Sequence, residues 1–150
     1  EDNISIDFFT DTSVAHLAAA MHARCFTEAW NETEFFSALG IPGTLLQFLN
    51  AAGEPAAFSL YRIASDEAEI LTLVTLPEFR GKGIATQLLG AGIEKLRNTG
   101  VRFLFLEVGS QNFAAKRLYT AEGFEEIGRR RNYYNHGGKS EDAVMMKKIL

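Results

Sequence analysis

EILTLVTLPEFRGKGIAT, residues 69–86, decides how this 150-residue chain folds. Its first part, Glu69–Leu76, is apolar on both faces, which predicts a strand in the middle of a sheet. Pro77 ends that strand, because proline cannot donate to the ladder. Gly81 and Gly83 let the backbone turn tightly and come close to a ligand. From Lys82 to Asn98 the stripe Ile84, Leu88, Gly92, Leu96 has helical spacing, and Gly100 closes the helix. A buried strand feeding a helix through such a turn presents unpaired N–H groups and the positive end of the helix dipole, which suit a phosphate. Arg80 and Lys82 add positive charge. The plainer alternative is a glycine-rich turn with two solvated cations.

Working outward, Val101–Val108 (VRFLFLEV) predicts a second central strand and Asn112–Glu122 a short helix stopped by Gly123. Phe124–Arg131 and Ala143–Ile149 read as two strands around a polar, glycine-rich loop at Asn135–Ser140. Upstream, Ile4–Phe9 alternates like a strand, and Val14, Leu17, Ala18, Met21 and Cys25 recur at helical spacing. A second short helix is expected from Asn31, with Glu34 as capping-box partner and Trp30 and Phe35 as hydrophobic staple. Strands near Thr44–Leu49 and Ala56–Ile63 follow, joined by a turn at Ala52-Gly53-Glu54-Pro55. No repeat or linker interrupts the pattern. The expectation is one mixed α/β domain over 1–150, with a strand–helix–strand–helix–strand core in its second half.

The composition is 47% hydrophobic and 23% charged, which excludes a disordered chain. The net charge of −4 argues against a general nucleic-acid binder, so no direct nucleic-acid partner is expected. Charge is uneven, however. Residues 1–75 carry 2 Lys/Arg against 11 Asp/Glu, and residues 76–150 carry 13 against 8. One Cys cannot make an internal disulfide, no apolar run approaches the ~20 residues of a membrane span, and the first residues lack signal-peptide character. A cytoplasmic protein without membrane contact is expected. Cys25 lies on an apolar stripe, which suits packing better than nucleophilic chemistry. His16, His22 and His136 show no metal-ligand spacing, so no metal is expected.

Two phosphate motifs fail. A P-loop needs Gly-Lys-Ser/Thr, but Lys82 is followed by Gly83. A dinucleotide fingerprint starting at Gly81 wants Gly or Ala where Thr86 stands, and an acidic residue near position 101, which is Val101. Arg80-x-x-Gly83-x-Ala85, between a strand and a helix, does fit a pattern. It resembles the acetyl-CoA signature of the GCN5-related N-acetyltransferases, Gln/Arg-x-x-Gly-x-Gly/Ala. Leu106-Glu107-Val108, Asn112, Arg117-Leu118-Tyr119 and Gly123-Phe124 extend the resemblance through the family's cofactor-binding core. The run Arg129-Arg130-Arg131-Asn132-Tyr133-Tyr134 with Glu141-Asp142-Ala143, and Cys25-Phe26 followed by Trp30, is similar to a narrower branch. That branch acetylates the N-terminal alanine of a small-subunit ribosomal protein. Where it often carries Arg-Ala-Ser before the Asn, this chain has Gly109-Ser110-Gln111.

The resemblance implies a central, mostly antiparallel twisted sheet of six to seven strands flanked by about four helices. It implies acetyl-CoA as acetyl donor, held by the backbone of Leu73, Val74 and Thr75, by the turn Arg80, Gly81, Lys82, Gly83, Ile84, Ala85 and Thr86, and by Asn112. Glu107 is expected as general base, directly or through one water, and Tyr119 as general acid for the departing thiolate. Read without that context, Glu107 is an exposed strand-end carboxylate and Tyr119 a core residue. The expected acceptor is a protein N-terminus on a basic ribosomal protein. Glu28, Glu32 and Glu34 would flank the acceptor groove, and Lys116 and Arg117 would lie near the phosphates. Tyr133 and Tyr134 are either walls of the acceptor channel or ordinary hairpin packing, and Arg129–Arg131 read mainly as solvated edge charge. The alternatives are a small-molecule amine or lysine acetyltransferase of the same fold, and a non-catalytic acyl-CoA-binding module.

Overall fold

Glu67–Thr75 does lie in the middle of the sheet, fourth of seven strands. A computed structural model describes residues 3–150; Glu1 and Asp2 of the expected 1–150 domain lie outside the described residues. The elements run β1 (Ile4–Phe9), α1 (Ala15–Ala23), α2 (Glu32–Leu39), β2 (Thr44–Ala51), β3 (Glu54–Ala64), β4 (Glu67–Thr75), α3 (Ile84–Asn98), β5 (Phe103–Gly109), α4 (Phe113–Ala121), β6 (Glu125–His136) and β7 (Lys139–Ile149). The sheet order is β1-β2-β3-β4-β5-β7-β6. Every neighbouring pair is antiparallel except β4 and β5, which the α3 crossover makes parallel.

Local chemistry explains the boundaries. Asn31 and Glu34 form a reciprocal capping box at α2, and the rings of Trp30 and Phe35 stand 5.2 Å apart as its staple. Helix α3 starts at Ile84 rather than Lys82, because Gly83 takes a left-handed conformation (φ 77°) that a helix cannot continue through. Asn112 caps α4 by accepting from the Ala115 N–H at 3.2 Å. The expected loops at Ala52–Pro55 and Asn135–Ser140 are both shorter than the sequence suggests. Each hairpin turns on two residues of positive φ, Ala52-Gly53 and Gly137-Gly138, so the strands extend into the polar flanks. Polar composition marked a loop where an exposed edge hairpin stands.

The sheet is covered differently on its two faces. Helix α3 and Tyr119 of α4 pack over Ala68, Ile70, Leu104 and Leu106 on one face. Helices α1 and α2 pack over Phe58, Leu60 and Val74 on the other. Strand β4 changes sides between these groups. Leu60 pairs with Thr72 and Tyr61 with Ile70, leaving Leu71 as an extra residue. This β-bulge reverses the alternation, so Ile70 faces α3 while Val74 faces α1 and α2.

Gly92 is required by a polar cluster buried under α3. The Gln47 side chain donates to the Leu88 carbonyl (2.9 Å) and accepts from Ser59 Oγ (2.8 Å) and Tyr61 Oη (3.1 Å). A Cβ at residue 92 would run into Tyr61 Oη and Gln47 Oε1. Helix propensity favours Ala over Gly by about 1 kcal/mol, but overpacking a filled site costs about 1–3 kcal/mol and here disturbs a buried network as well. Gly92→Ala is therefore expected to lower stability by about 2 kcal/mol in urea denaturation, opposite to the propensity scale.

Candidate active site

Strands β4 and β5 are paired only from Glu67↔Phe103 to Ile70↔Leu106. Beyond that point β5 remains bonded to β7 through Glu107, Val108 and Gly109, while β4 remains bonded to β3. The two strands part, and residues 71–75 lose their partner on the β5 side. Leu76 donates to the Ala56 carbonyl on β3. Strand alternation then turns the backbone groups of Val74 toward β3 and those of Leu73 and Thr75 toward the opening.

A cleft of about 400 Å³ fills the gap. Glu107 and Tyr119 both line it, with Asn112, Leu73 and Thr72. Its far walls are His22, Phe26 and Trp30 on one side and Tyr134, His136 and Glu141 on the other. A second cleft of about 230 Å³ lies beyond Thr75, formed by Arg80, Gly81, Gly83, Ile84, Ala85 and Thr86. The expected residues thus fall into two adjoining groups along β4, the reacting pair in one and the glycine turn in the other. Lys82 is exposed, over the ring of Phe79. Lys116 and Arg117 border a separate shallow depression on α4 and line neither of the two clefts. Tyr134 lines the first cleft; Tyr133 does not, and lies under Arg130.

The turn suits a phosphate-bearing ligand. Gly81 and Gly83 both have φ 77°, with nothing within 4 Å of the place a Cβ would occupy, so the backbone is approachable. No side chain caps α3, which leaves its first N–H groups available. Arg80 donates through Nε to the Thr75 carbonyl at 2.9 Å, which ties its guanidinium beside the turn. Asn112 spends its amide oxygen on the α4 cap, leaving its NH₂ group to donate. Ile84 is buried, so only its backbone can serve a ligand.

Burial pushes the Tyr119 phenol up to about 12, so it carries its proton at neutral pH. Glu107 is ion-paired with Arg130, Oε2 to Nε at 3.2 Å. Alternation along β6 hid this contact in the sequence, for Arg129 pairs instead with Glu126 and Asp142. Glu69 lies in the groove on the other side of Glu107, and burial followed by the Glu107 charge raises its pKa. Glu141 accepts from the Gln111 N–H (2.6 Å) and bonds His136 (2.9 Å). Its carboxylate occupies the space a side chain at Gly109 would need, which accounts for Gly at that position. Sequence reading passed over His22, although it continues the buried stripe of Ala15 and Ala18 at helical spacing.

The Acetyltransferase (GNAT) family matches residues 15–124. The chain belongs to that family. A Salmonella typhimurium relative, "[Ribosomal protein bS18]-alanine N-acetyltransferase", is 36% identical over 136 residues, which is 89% of this chain and 91% of the relative. The crystal structure of the Escherichia coli ribosomal-protein-S18-alanine N-acetyltransferase superposes with a TM-score of 0.89 at 31% identity, covering 100% of this chain and 94% of that one. The Arabidopsis thaliana NAA60 complex with acetyl-CoA shares the GNAT fold, with a TM-score of 0.81 at 19% identity and 99% of each chain covered. The seven strands and four α-helices among the described residues make this chain a mixed α/β member of the family. Among the described residues, no group of His, Cys, Asp or Glu could hold a metal ion.

Burial draws the His22 imidazole down to about 4, against an opposing pull from Glu34. As pH falls, the unfolded chain binds this proton first, near the ordinary 6.5. Stability from neutral His22 is therefore whole above pH 6.5 and is lost between 6.5 and 4. In urea melts across that window, His22→Phe is expected to lose stability with a shallower slope than the wild type.

Proposed function

We propose that this chain transfers acetyl from acetyl-CoA to a protein N-terminal amine, with the N-terminal alanine of a small-subunit ribosomal protein as acceptor. The parted edge of β4, with Glu107 and Tyr119 in one cleft beside it, carries the reading. The names of relatives that match over most of the chain support the acceptor. We extend the acetyltransferase domain over the whole of 1–150 and assign it to the cytoplasm, where ribosomal proteins are made. No helix among the described residues is long and apolar enough to cross a membrane.

Acetyl-CoA bound here supplies the thioester. The open backbone groups of Leu73 and the Thr75 N–H hold its arm as an added strand would be held, the Thr75 carbonyl already accepting from Arg80. Backbone N–H groups from Gly81 to Thr86, with the α3 dipole, bind its pyrophosphate, and Arg80 and Lys82 add charge. Glu107 takes a proton from the acceptor ammonium, directly or through one water. Arg130 anchors one oxygen of that carboxylate and leaves the other for the proton. Tyr119 gives its proton to the sulfur as the amine–carbonyl bond forms and the carbon–sulfur bond breaks, and the nitrogen's second proton is released through water to replace it on the phenol. The α-amine is an undemanding nucleophile. With a pKa of ~8 about one in ten is neutral at pH 7, against under one in a thousand lysines. Glu28 before α2 and Glu32 in its first turn, both exposed, favour a basic protein over a nucleic acid as partner.

Turnover of acetyl-CoA with N-terminal peptides, lysine peptides and polyamines, read by mass spectrometry, tests the acceptor. Alanine-terminated basic peptides are expected to react best; turnover confined to polyamines would point to a small-molecule enzyme. Glu107→Gln and Tyr119→Phe are each expected to lower kcat by about 10²-fold or more with little change in acetyl-CoA affinity. Gly83→Val is expected to abolish calorimetric acetyl-CoA binding, since a β-branched residue at φ 77° distorts the turn and covers the backbone.

A further inference from the structure

His22 is buried (3% exposed), lines the catalytic cleft, and has no part in the chemistry above. Both of its ring nitrogens are engaged. The Trp30 backbone N–H donates to Nδ1 at 3.0 Å, so Nδ1 carries no proton. Nε2 therefore carries it and donates to Thr72 Oγ1, also at 3.0 Å. The ring lies 4.4 Å from that of Phe26 and contacts Trp30, Phe35 and Phe58. One side chain thus joins the end of α1, the segment before α2 and the part of β4 where the strand opens. Besides this bond, residues 24–30 are tied toward the sheet by the Arg24–Glu78 ion pair at the surface and by Cys25 Sγ, which donates weakly to the Thr75 carbonyl at 3.6 Å. Phe26 is 44% exposed, and its ring and that of Trp30 form the apolar wall of the cleft facing Glu107 and Tyr119.

We propose that His22 is a positioning residue for the acceptor: its neutral, Nε2-protonated ring pins the Phe26–Trp30 wall to Thr72 and so sets the space left for the acceptor's first side chain. The assignment rests on the acetyltransferase reading and adds the group that shapes the acceptor side. The donor's arm meets the backbone of Leu73 and Thr75 at the open edge of β4, where His22 makes no hydrogen bond. Glu107 and Tyr119 keep their places because neither is bonded to the histidine.

The test uses His22→Phe, which keeps ring volume and stacking but loses both hydrogen bonds, and Thr72→Val, which removes only the Nε2 partner. His22→Asn restores an acceptor near Nδ1. For His22→Phe the acceptor KM is expected to rise about tenfold, the scale of one or two lost hydrogen bonds, with acetyl-CoA KM and kcat within about twofold. Thr72→Val is expected to give a smaller rise in the same direction, and His22→Asn to recover most of the acceptor KM. Trp30 is the single tryptophan of the chain, so its emission reads the wall without any substrate. Acrylamide quenching is expected to increase in His22→Phe and Thr72→Val while far-UV circular dichroism stays unchanged. An unchanged acceptor KM together with unchanged quenching in both variants overturns the proposal, as does a loss confined to kcat. A wild type inactive on N-terminal peptides refutes the substrate reading instead. The kinetics are then run on whichever amine the panel shows to react, and the quenching result stands by itself.

Discussion

A hydrogen-bond ladder that stops in the middle of a sheet is the constraint on which this molecule turns. Four residue pairs join β4 to β5, and then each strand follows its antiparallel neighbour away from the other. Backbone N–H and C=O groups at Leu73 and Thr75 are left without a strand to satisfy them, deep in a protein where such groups are normally paired. In the function proposed above, the arm of the acetyl donor completes the sheet at this edge. Even alone, the Thr75 carbonyl is not idle: Arg80 tethers itself there.

The remaining features keep the opening in shape. Helix α3 begins with two left-handed glycines and lies under the sheet with Gly92 pressed on a buried polar cluster, which fixes its axis. The β6–β7 hairpin closes one side through Tyr134 and the His136–Glu141 pair, and it brings Arg130 to Glu107. The end of α1 and the chain before α2 close the other. Tyr119 is fixed by packing against Phe124 with ring centres 5.5 Å apart, and the same burial keeps its phenol protonated. Stability and acid strength come from one cause at that residue.

The strand–turn–helix around β4 was legible in the sequence because its signals are local. Gly81, Gly83, Gly100 and Gly123 all take positive φ, and a strand apolar on both faces does lie inside the sheet. The Asn31–Glu34 box and the Trp30–Phe35 staple were equally readable, since capping is local. The contacts across the cleft were not. His22 bonds Thr72, fifty residues on, and Arg130 bonds Glu107 across an intervening strand, so no short-range spacing encodes either. The tips were overdrawn for different reasons: at β6–β7 an exposed edge strand and a loop share a polar composition, while at β2–β3 the turn residues Gly53 and Pro55 made the turn look wider than its two residues.

The extra residue at Leu71 reaches beyond its local geometry. Two consecutive residues, Leu71 and Thr72, lie on the α1 side of β4, whereas a regular strand would send them to opposite faces. Removing Leu71 would make the ladder to β3 continuous, because Leu60 and Tyr61 would keep Thr72 and Ile70 as partners. Every later residue would keep its face, so a deletion at this one point is absorbed. A deletion at Leu73 has no spare residue to draw on: it would send Val74 to the α3 face and turn its backbone groups to the opening. Chain length in β4 is therefore slack at the bulge and fixed beyond it.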